Sequence, residues 1–570
     1  MPNRARYVAC PWPILSIHRA AQLKTLHLVP QAQTSAQRAT GAAVLVVLGL
    51  VALLLLVGGV PLLVLGGSPY YVVAAVVFAV TALLLRRRLE AALLLYAAFL
   101  AATLVWALWE SGLDWWPLAA RMDVPFVLGA LLLLPWVQRP FSTGSLQAPW
   151  RRGAGLAVGM VLLLFVCVSA ASWLHDPWTI DGSLPASSSA QTTPAEPIPP
   201  GEWPAYGRNA AGQRYSPLAQ IKPGNISQLE PAWTYHTGDM RGRPGDPEET
   251  TFEVTPLKAG NRLYLCTPHQ SVVALDASTG QQVWRRDLDI RASLALQHLT
   301  CRGLSYHKSE GMAAAVGANP SSGACVERLF MPTADGRLVA LDAANGGNCA
   351  AFGGGRGEID LWAHMPNVKP GAYYSTSPVV TTRTLVIIGG TVLDNASVNE
   401  QSGVIRAFDV HTGALVWNWD SAKPDQTAPI TGDQTYTPNS PNSWSVSSVD
   451  ETLGLVYVPM GNQPPDQWGG RRTEAVERHS SSIVALELST GRVRWVFQTV
   501  HHDLWDYDVP AQPVLVDLTV RGQTVPALVQ ATKQGELFVL DRRTGTPVHP
   551  VTEVPAPQGA ASGDHTAATQ

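Results

Sequence analysis

The 570-residue sequence lacks the short motifs that mark several large enzyme classes. It contains no Gly-x-Gly-x-x-Gly after a strand, no phosphate-binding Gly-x-x-x-x-Gly-Lys, no His-Glu-x-x-His and no Gly-x-Ser-x-Gly. Hypotheses of a nicotinamide-dependent enzyme, an ATPase, a zinc protease or a serine hydrolase therefore have no support. The six cysteines include no Cys-x-x-Cys pair, which argues against a zinc site and a c-type haem.

Charge is also scarce, because only 15% of the residues are charged and the formal net charge is −3. Such a balance gives no indication of a nucleic-acid partner. The composition changes near residue 175: Leu, Val and Ala dominate before it, and Gly, Pro, Asp, Thr and Trp are frequent after it. Four cysteines lie in the second part, where an even number permits disulfides whose pairing the sequence leaves open.

The first part contains five long apolar runs, at about 42–65, 70–85, 91–109, 124–137 and 154–172. Most approach the ~20 residues that a membrane-spanning helix needs. Runs of this length and apolarity are costly to keep in water, which argues against a soluble helical bundle. We therefore predict a transmembrane domain of five helices over residues 41–173, in which the run at 124–137 is the shortest span.

The arginines of this part predict its orientation. They are concentrated between the second and third runs and between the fourth and fifth, at Arg86, Arg87, Arg88, Arg139, Arg151 and Arg152. The positive-inside rule puts these loops in the cytoplasm, together with a disordered tail of residues 1–40. The chain after about residue 175 is then on the outer side of the membrane. Residues 174–201 are rich in Pro, Ser and Ala and are predicted to form a linker.

The remaining segment, residues 202–570, repeats one pattern. A strand ends in an acidic residue, a tight turn containing Gly follows, and a second strand often ends in Trp; the acidic residues are Asp276, Asp342, Asp409, Glu487 and Asp541. A unit of this size cannot bury its own apolar face, so the copies must pack on one another. We predict an all-β propeller, for which this segment is long enough to form about five to six blades.

The densest polar cluster runs from His501 to Pro513 and contains Asp503, Asp506 and Asp508 among aromatic residues. A carboxylate held in such surroundings can serve as a general base. Lys533, after the next predicted strand, offers a cation. The alternative is an ordinary solvated loop, and the sequence does not distinguish between the three aspartates.

Three further strand ends carry polar residues. Asp394 and Asn395 offer oxygen ligands for Ca²⁺ or Mg²⁺, although Asp-Asn is also a common turn. Asn462 follows another strand, with an ordinary turn as the alternative, and His269 follows a third, where a purely structural histidine is the alternative.

Together these segments resemble the bacterial quinoprotein dehydrogenases that use pyrroloquinoline quinone. Five spans ahead of the β segment make the chain most similar to the membrane-bound glucose dehydrogenases of that family. The resemblance covers roughly residues 40–570 and rests on Trp203 to Leu218, Cys266 to His269, Thr300 to Gly303, Asn439 to Trp444 and His501 to Pro513.

The resemblance implies an eight-bladed propeller with the flat cofactor across its axis. It also implies roles for individual residues: Asp506 as the general base, Lys533 and Arg208 as hydrogen-bond donors to the cofactor, and Trp444 as the ring on which it stacks. His269 would lie over the other cofactor face. Asp394, Asn395 and Asn462 would surround the Ca²⁺ or Mg²⁺ ion.

The activity implied is oxidation of D-glucose to gluconolactone in the periplasm, with ubiquinone in the membrane as electron acceptor. A quinate/shikimate or polyol dehydrogenase of the same family is one alternative. A non-catalytic envelope propeller that acts as a scaffold is another, although it has no need of the Asp506–Lys533 pair. Members of the family continue well beyond 570 residues, so we expect a propeller that is incomplete at its C-terminus.

Overall fold

The computed structural model describes residues 34–87, 89–141, 149–174, 198–291, 293–309 and 325–570, without the side chains of 149–152. The chain divides into two compact units, residues 1–185 and 186–570. The predictions for residues 1–33 and for residues 175–197 of the linker lie outside the described residues.

The first unit is helical, and its helices overlap the five predicted apolar runs, although the first helix begins at Ser35, within the predicted disordered tail of residues 1–40. They are α1 (Ser35–Val64), α2 (Tyr70–Leu85), α3 (Leu89–Ser111), α4 (Trp115–Leu133), the short α5 (Pro135–Gln138) and α6 (Pro149–Leu174). Within the described residues, α1, α3, α4 and residues 153–174 of α6 are long and apolar enough to cross a membrane, and α2 is a shorter apolar helix.

Helix α4 begins well before the apolar run that predicted it. The Asp114 side chain accepts a hydrogen bond from the Trp116 backbone N–H and caps the helix. Arg121, which interrupts the apolar pattern, donates to Glu110 at the end of α3 with a distance of 2.7 Å. A paired charge near a helix end is tolerated in an apolar bundle, which explains why hydropathy alone placed the start too late.

The second unit consists mainly of antiparallel sheets. The first three are β2–β5 (Leu257–Ala259, Arg262–Cys266, Ser271–Asp276, Gln282–Asp287), β7–β10 (Ser305–Lys308, Glu327–Pro332, Arg337–Asp342, Glu358–Asp360) and β12, β13, β15 and β16 (Val380–Thr381, Leu385–Ile388, Ile405–Asp409, Leu415–Trp419). The next two are β17–β20 (Ser448–Asp450, Leu455–Pro459, Ser482–Glu487, Val493–Gln498) and β21–β23 (Val514–Val520, Gln523–Ala531, Leu537–Asp541).

Two short ladders, one α-helix and one 3-10 helix (Ile226–Gln228) complete the unit within the described residues. Strand β1 (Glu249–Thr250) pairs in parallel with β6 (His298–Leu299), β11 (Tyr373–Tyr374) pairs with β14 (Thr391–Val392), and α7 spans Glu474–His479. The four four-stranded sheets and one three-stranded sheet agree with the predicted five to six blades. The predicted order of apolar helices followed by a propeller-like β unit is confirmed.

The repeated turn and tryptophan join one sheet to the next. Trp417, in the third sheet, packs on Gly491 in the turn of the fourth, and its indole N–H donates to the Leu488 carbonyl at 2.7 Å. Trp495 of the fourth sheet meets Gly545 of the fifth in the same way. A side chain on either glycine would collide with the indole ring, so the glycine allows the close approach of the two sheets.

A segment near residue 210 ties together sheets that are distant in sequence. Trp203 pairs with Lys258 beside the first sheet. The carbonyl of Ala210 accepts a hydrogen bond from Val449 N–H of the fourth sheet at 2.9 Å. The carbonyl of Ala211 accepts one from Leu515 N–H of the fifth at 2.8 Å. The sheets are thus held around a common region, to which the loops after their strands contribute.

Candidate active site

The loop between β20 and β21 carries the three aspartates that the sequence could not distinguish. Asp503 is buried and accepts hydrogen bonds from the Ser481 hydroxyl at 2.6 Å and from the backbone N–H groups of Trp505 and Tyr507 at 2.9 and 2.7 Å. Its carboxylate is fully used in holding the loop. Asp503 is therefore a structural residue.

Asp508 is engaged in a different way. Its Oδ2 accepts the indole N–H of Trp444 at 2.8 Å, and its Oδ1 accepts the backbone N–H of Asn462 at 2.6 Å. Burial raises the pKa of Asp508 to about 6, against the lowering influence of the Lys533 ammonium. This carboxyl group fixes the orientation of the Trp444 ring.

Asp506 is the aspartate of the three whose side chain is most open, with 41% of it exposed. Lys533 Nζ lies 3.2 Å from its Oδ1 and donates to its backbone carbonyl at 2.7 Å. The backbone of Asp506 has φ of +63°, a left-handed conformation that is unusual outside glycine. The loop thus presents one accessible carboxylate beside one ammonium.

Two cations lie against the Trp444 ring. Lys533 Nζ is 5.9 Å from the ring centroid, and the guanidinium carbon of Arg302 is 5.7 Å from it. Trp444 and Arg302 also line a cavity of about 420 Å³ together with Tyr206 and Arg214. Sequence reasoning named Lys533 but gave no role to Arg302 or Arg214, although Arg302 lies in one of the motifs that carried the resemblance.

Asp394 and Asn395 follow β14, as predicted, and lie close to a residue that sequence reasoning missed. Asn395 Nδ2 donates to Asp466 Oδ2 at 3.1 Å, and the Asp466 backbone N–H donates to Asn395 Oδ1 at 3.1 Å. The Asp394 backbone N–H donates to Gln297 Oε1 at 3.1 Å. Two acidic side chains are thereby brought together from distant loops.

Burial and mutual repulsion raise the pKa values of these carboxyl groups. The pKa of Asp394 rises to about 7, through burial first and then through Asp508 and Asp506. The pKa of Asp466 rises to about 8 through burial and through Asp394 and the same two neighbours. Lys533 is the cation that opposes the shift at Asp394. The four carboxyl groups outnumber the neighbouring cations, Lys533 and Arg472, and therefore favour an additional positive charge.

Asp394, Asp466, Asp506 and Asp508 form what we call the acidic cluster. Asn462 joins the loops that carry it. Its side-chain amide donates to the carbonyl oxygens of Asp466 at 2.7 Å and of Asp503 at 3.0 Å. Its Oδ1 accepts the backbone N–H of Gln463 at 3.0 Å. Nearby, the buried Oδ1 of Asn442 has no hydrogen-bond partner among the described residues and lies next to Gly461. An unpartnered oxygen of this kind is a suitable neighbour for a cation.

The structure places Arg208 and His269 apart from these groups. Arg208 donates to the Ile198 carbonyl at 3.5 Å and lines a different cavity, of about 650 Å³. His269 is held between Asp239 and Asp246, with 2.8 Å from its Nε2 to Asp246 Oδ1. Among the described contacts, neither residue is hydrogen-bonded or ion-paired to Trp444, Asp506 or Lys533.

Residues 203–570 match the family described as "PQQ: Glucose/ethanol/alcohol dehydrogenase, beta-propeller domain". The chain belongs to this quinoprotein family. The match covers all of the residues that form the acidic cluster and its aromatic neighbours.

Three curated relatives show which members of the family the chain is similar to. The chain is 46% identical over 486 residues to the quinoprotein glucose dehydrogenase of Escherichia coli (strain K12), which covers 84% of this chain and 58% of the relative. It is 47% identical over 482 residues to the quinoprotein glucose dehydrogenase of Gluconobacter oxydans (strain 621H), with coverage of 84% and 58%. It is 35% identical over 493 residues to the quinate/shikimate dehydrogenase (quinone) of Acinetobacter baylyi, with coverage of 84% and 59%. The chain therefore spans somewhat more than half the length of these curated relatives.

Proposed function

We propose that the protein is a membrane-bound quinoprotein dehydrogenase that oxidises an aldose sugar, with D-glucose as the preferred substrate and gluconolactone as the product. The observation that carries the proposal is the difference in hydrogen bonding and exposure among the three aspartates. Asp503 and Asp508 use their carboxylates within the protein, whereas Asp506 keeps an accessible one beside Lys533.

In this proposal Asp506 takes the proton from the substrate hydroxyl whose carbon is oxidised. The Lys533 ammonium, bonded to both the carboxylate and the backbone carbonyl of Asp506, holds that carboxylate in one orientation. A fixed base within hydrogen-bond reach of the hydroxyl is the requirement for general-base catalysis. The left-handed backbone at Asp506 is the local cost of that presentation.

The residues around Trp444 fit a flat, anionic cofactor. When bound, pyrroloquinoline quinone supplies the two-electron acceptor for the hydride of the substrate carbon. Trp444 offers a stacking surface whose tilt is fixed by Asp508. Lys533 and Arg302 offer fixed positive charge for carboxylate and quinone oxygens. Arg208 and His269 stay predicted cofactor neighbours, and their described contacts are with Ile198, Asp239 and Asp246.

The acidic cluster fits a divalent cation, Ca²⁺ or Mg²⁺. Asp394, Asn395 and Asp466 supply the oxygen ligands that these ions prefer, and the unpartnered oxygen of Asn442 lies in the same region. Asn462 contributes here through its amide N–H bonds, which hold the loops of Asp466 and Asp503. A bound cation would offset the repulsion that raises the carboxyl pKa values.

We infer further that the β unit lies in the periplasm and that ubiquinone in the membrane accepts the electrons. Two disulfides, Cys266–Cys301 and Cys325–Cys349, support an oxidising compartment for this unit. The arginine-rich loops between the apolar helices are expected in the cytoplasm, which is the side of the membrane opposite to the β unit.

The test is reconstitution of the purified full-length chain with pyrroloquinoline quinone and Mg²⁺ or Ca²⁺. We expect glucose-dependent reduction of an artificial dye, and of a short-chain ubiquinone in detergent. Turnover with quinate or glycerol but not with glucose would move the substrate to another branch of the family. Absence of cofactor binding together with absence of turnover on sugars, quinate and polyols would contradict the enzymatic proposal and favour a scaffold.

A further inference from the structure

A second polar cluster begins at His502, next to Asp503 but with its side chain directed to other partners. His502 Nε2 lies 2.8 Å from Asp564 Oδ1, and His565 Nδ1 lies 3.8 Å from the same oxygen. The two imidazole rings stack with centroids 3.8 Å apart. One donor atom from each of the three residues lies within 4.8 Å of the others.

Two of these three side chains are held in place by further hydrogen bonds. Glu477 Oε2 lies 3.1 Å from His502 Nδ1, so the opposite ring nitrogen faces Asp564. Asp564 Oδ2 accepts the Gly469 backbone N–H at 2.7 Å, which directs its other oxygen to the histidine. A carboxylate on the far nitrogen of an imidazole is the arrangement that orients metal-binding histidines.

The three side chains of this cluster differ in their exposure to solvent. The side chains of His502 and Asp564 are 5% and 1% exposed, whereas that of His565 is 73% exposed. Two of the possible metal ligands, His502 and Asp564, are therefore held in place and shielded from water. The third, His565, lies at the surface, where an ion can enter. A fourth position would remain open to water.

We propose that His502, Asp564 and His565 form a zinc site, separate from the alkaline-earth site proposed beside Trp444. Two imidazole nitrogens and one carboxylate oxygen suit Zn²⁺, whereas Ca²⁺ and Mg²⁺ prefer oxygen ligands alone. Ligands about 2 Å from a tetrahedral zinc lie roughly 3.3 Å from one another. The two separations from Asp564 Oδ1, 2.8 and 3.8 Å, lie on either side of that value. The two rings stack in this structure, so the exposed His565 has to turn out of the stack before its nitrogen can point at an ion held by His502 and Asp564.

Zinc at this position would link two segments of the β unit directly, and a third segment is hydrogen-bonded to both of them. His502 belongs to the loop that presents Asp506, Gly469 and Glu477 belong to the segment after Asp466, and Asp564 lies far along the chain. An ion bound to the folded state alone stabilises it by mass action. Zinc would thus clamp the loop of the proposed base without contacting substrate or cofactor.

The experiment measures zinc binding to the full-length chain in detergent, after treatment with a chelator and in saturating Mg²⁺ to fill the other site. Calorimetry with ZnCl₂ should detect one tight equivalent, and Co²⁺ should give the visible absorption of a low-symmetry site. His565→Ala should remove the Co²⁺ band and weaken zinc at least tenfold. Glu477→Gln, which removes the carboxylate that orients His502, should weaken zinc binding roughly 10- to 100-fold.

The control is His549→Ala, because His549 is an exposed histidine outside the cluster and its loss should leave zinc affinity unchanged. His565 is itself exposed, so its variant should fold even if Asp564→Asn does not. Wild-type zinc affinity in His565→Ala, or no tight zinc in the wild type, would overturn the proposal and leave a hydrogen-bonded pair beneath a stacked histidine. Sugar oxidation is measured separately, so failure here leaves the proposed function standing.

Discussion

At the scale of single residues, two aspartates separated by one tyrosine share Lys533 as an ion-pair partner, at 3.2 and 3.9 Å, but differ in exposure and in their other partners. The Asp506 side chain is 41% exposed beside Lys533, whereas that of Asp508 is 12% exposed and bonded to Trp444. Chemistry of the carboxyl group cannot distinguish them, since the two side chains are identical. Their difference comes entirely from partners supplied by other loops.

This difference predicts different losses in two matched variants. Asp506→Asn should lower kcat by roughly 10²- to 10⁴-fold, the usual worth of a general base, while pyrroloquinoline quinone still binds. Asp508→Asn should chiefly weaken cofactor binding, because the amide holds the Trp444 indole less firmly. Steady-state kinetics and a spectroscopic titration of the cofactor separate the two effects. Near wild-type kcat in Asp506→Asn would exclude it as the base.

The local sequence pattern located this loop but did not rank its aspartates, and only the family resemblance named Asp506 as the base. The reason is distance along the chain. The groups that engage Asp508 and Asp506 lie at Trp444 and Lys533, and no local pattern connects them. Asp466 was missed for the same reason, because its partner Asn395 is 71 residues away. The assignments of Arg208 and His269 rested on resemblance alone and stay predictions.

At the scale of elements, the repeated turn glycine has a packing role that can be tested. Gly491 has φ of +69°, and a methyl group there would stand 2.6 Å from a ring carbon of Trp417. Gly522 has φ of +80° with nothing near the corresponding position. An alanine at either position would strain the left-handed backbone. Only at position 491 would its methyl group also collide with a neighbouring sheet.

We therefore expect Gly491→Ala to destabilise the β unit by about 1–3 kcal/mol more than Gly522→Ala, the usual cost of overpacking. Thermal unfolding of the full-length chain, followed by tryptophan fluorescence, measures the difference. Equal shifts in the two variants would mean that backbone strain alone matters and that the contact with Trp417 is not tight in solution.

The sequence predicted these sheets well because strand, turn and tryptophan recur with similar residues at each copy. The second sheet shows where such a pattern stops being informative. Its partner turn at Gly413 meets Phe352 and Ile359 instead of a tryptophan. The start of α4 was misplaced because Arg121 interrupts the apolar run, and only its partner Glu110 on the preceding helix makes that charge acceptable.

At the scale of the whole molecule, the acidic cluster links folding stability to pH and to metal. The pKa values of Asp508, Asp394 and Asp466 are raised to about 6, 7 and 8. Unfolding returns each to an ordinary aspartate value near 3.9. The folded state thus keeps its protons to higher pH, and the stabilisation this gives is complete below about pH 4 and is lost as pH rises through 6 to 8.

Without divalent metal, the melting temperature of the chain should therefore fall between about pH 5 and pH 8.5. Mg²⁺ or Ca²⁺ should reverse the fall, with the largest effect at the alkaline end, because the ion needs the ionised carboxylates that protons otherwise neutralise. Asp466→Asn should flatten the metal-free pH profile, since it removes the group with the highest of these pKa values. One pKa unit corresponds to about 1.4 kcal/mol, so the change is measurable. A metal-free stability that rises steadily over this range, with no greater metal effect at high pH, would show that these carboxyl groups are not the repelling cluster the structure describes.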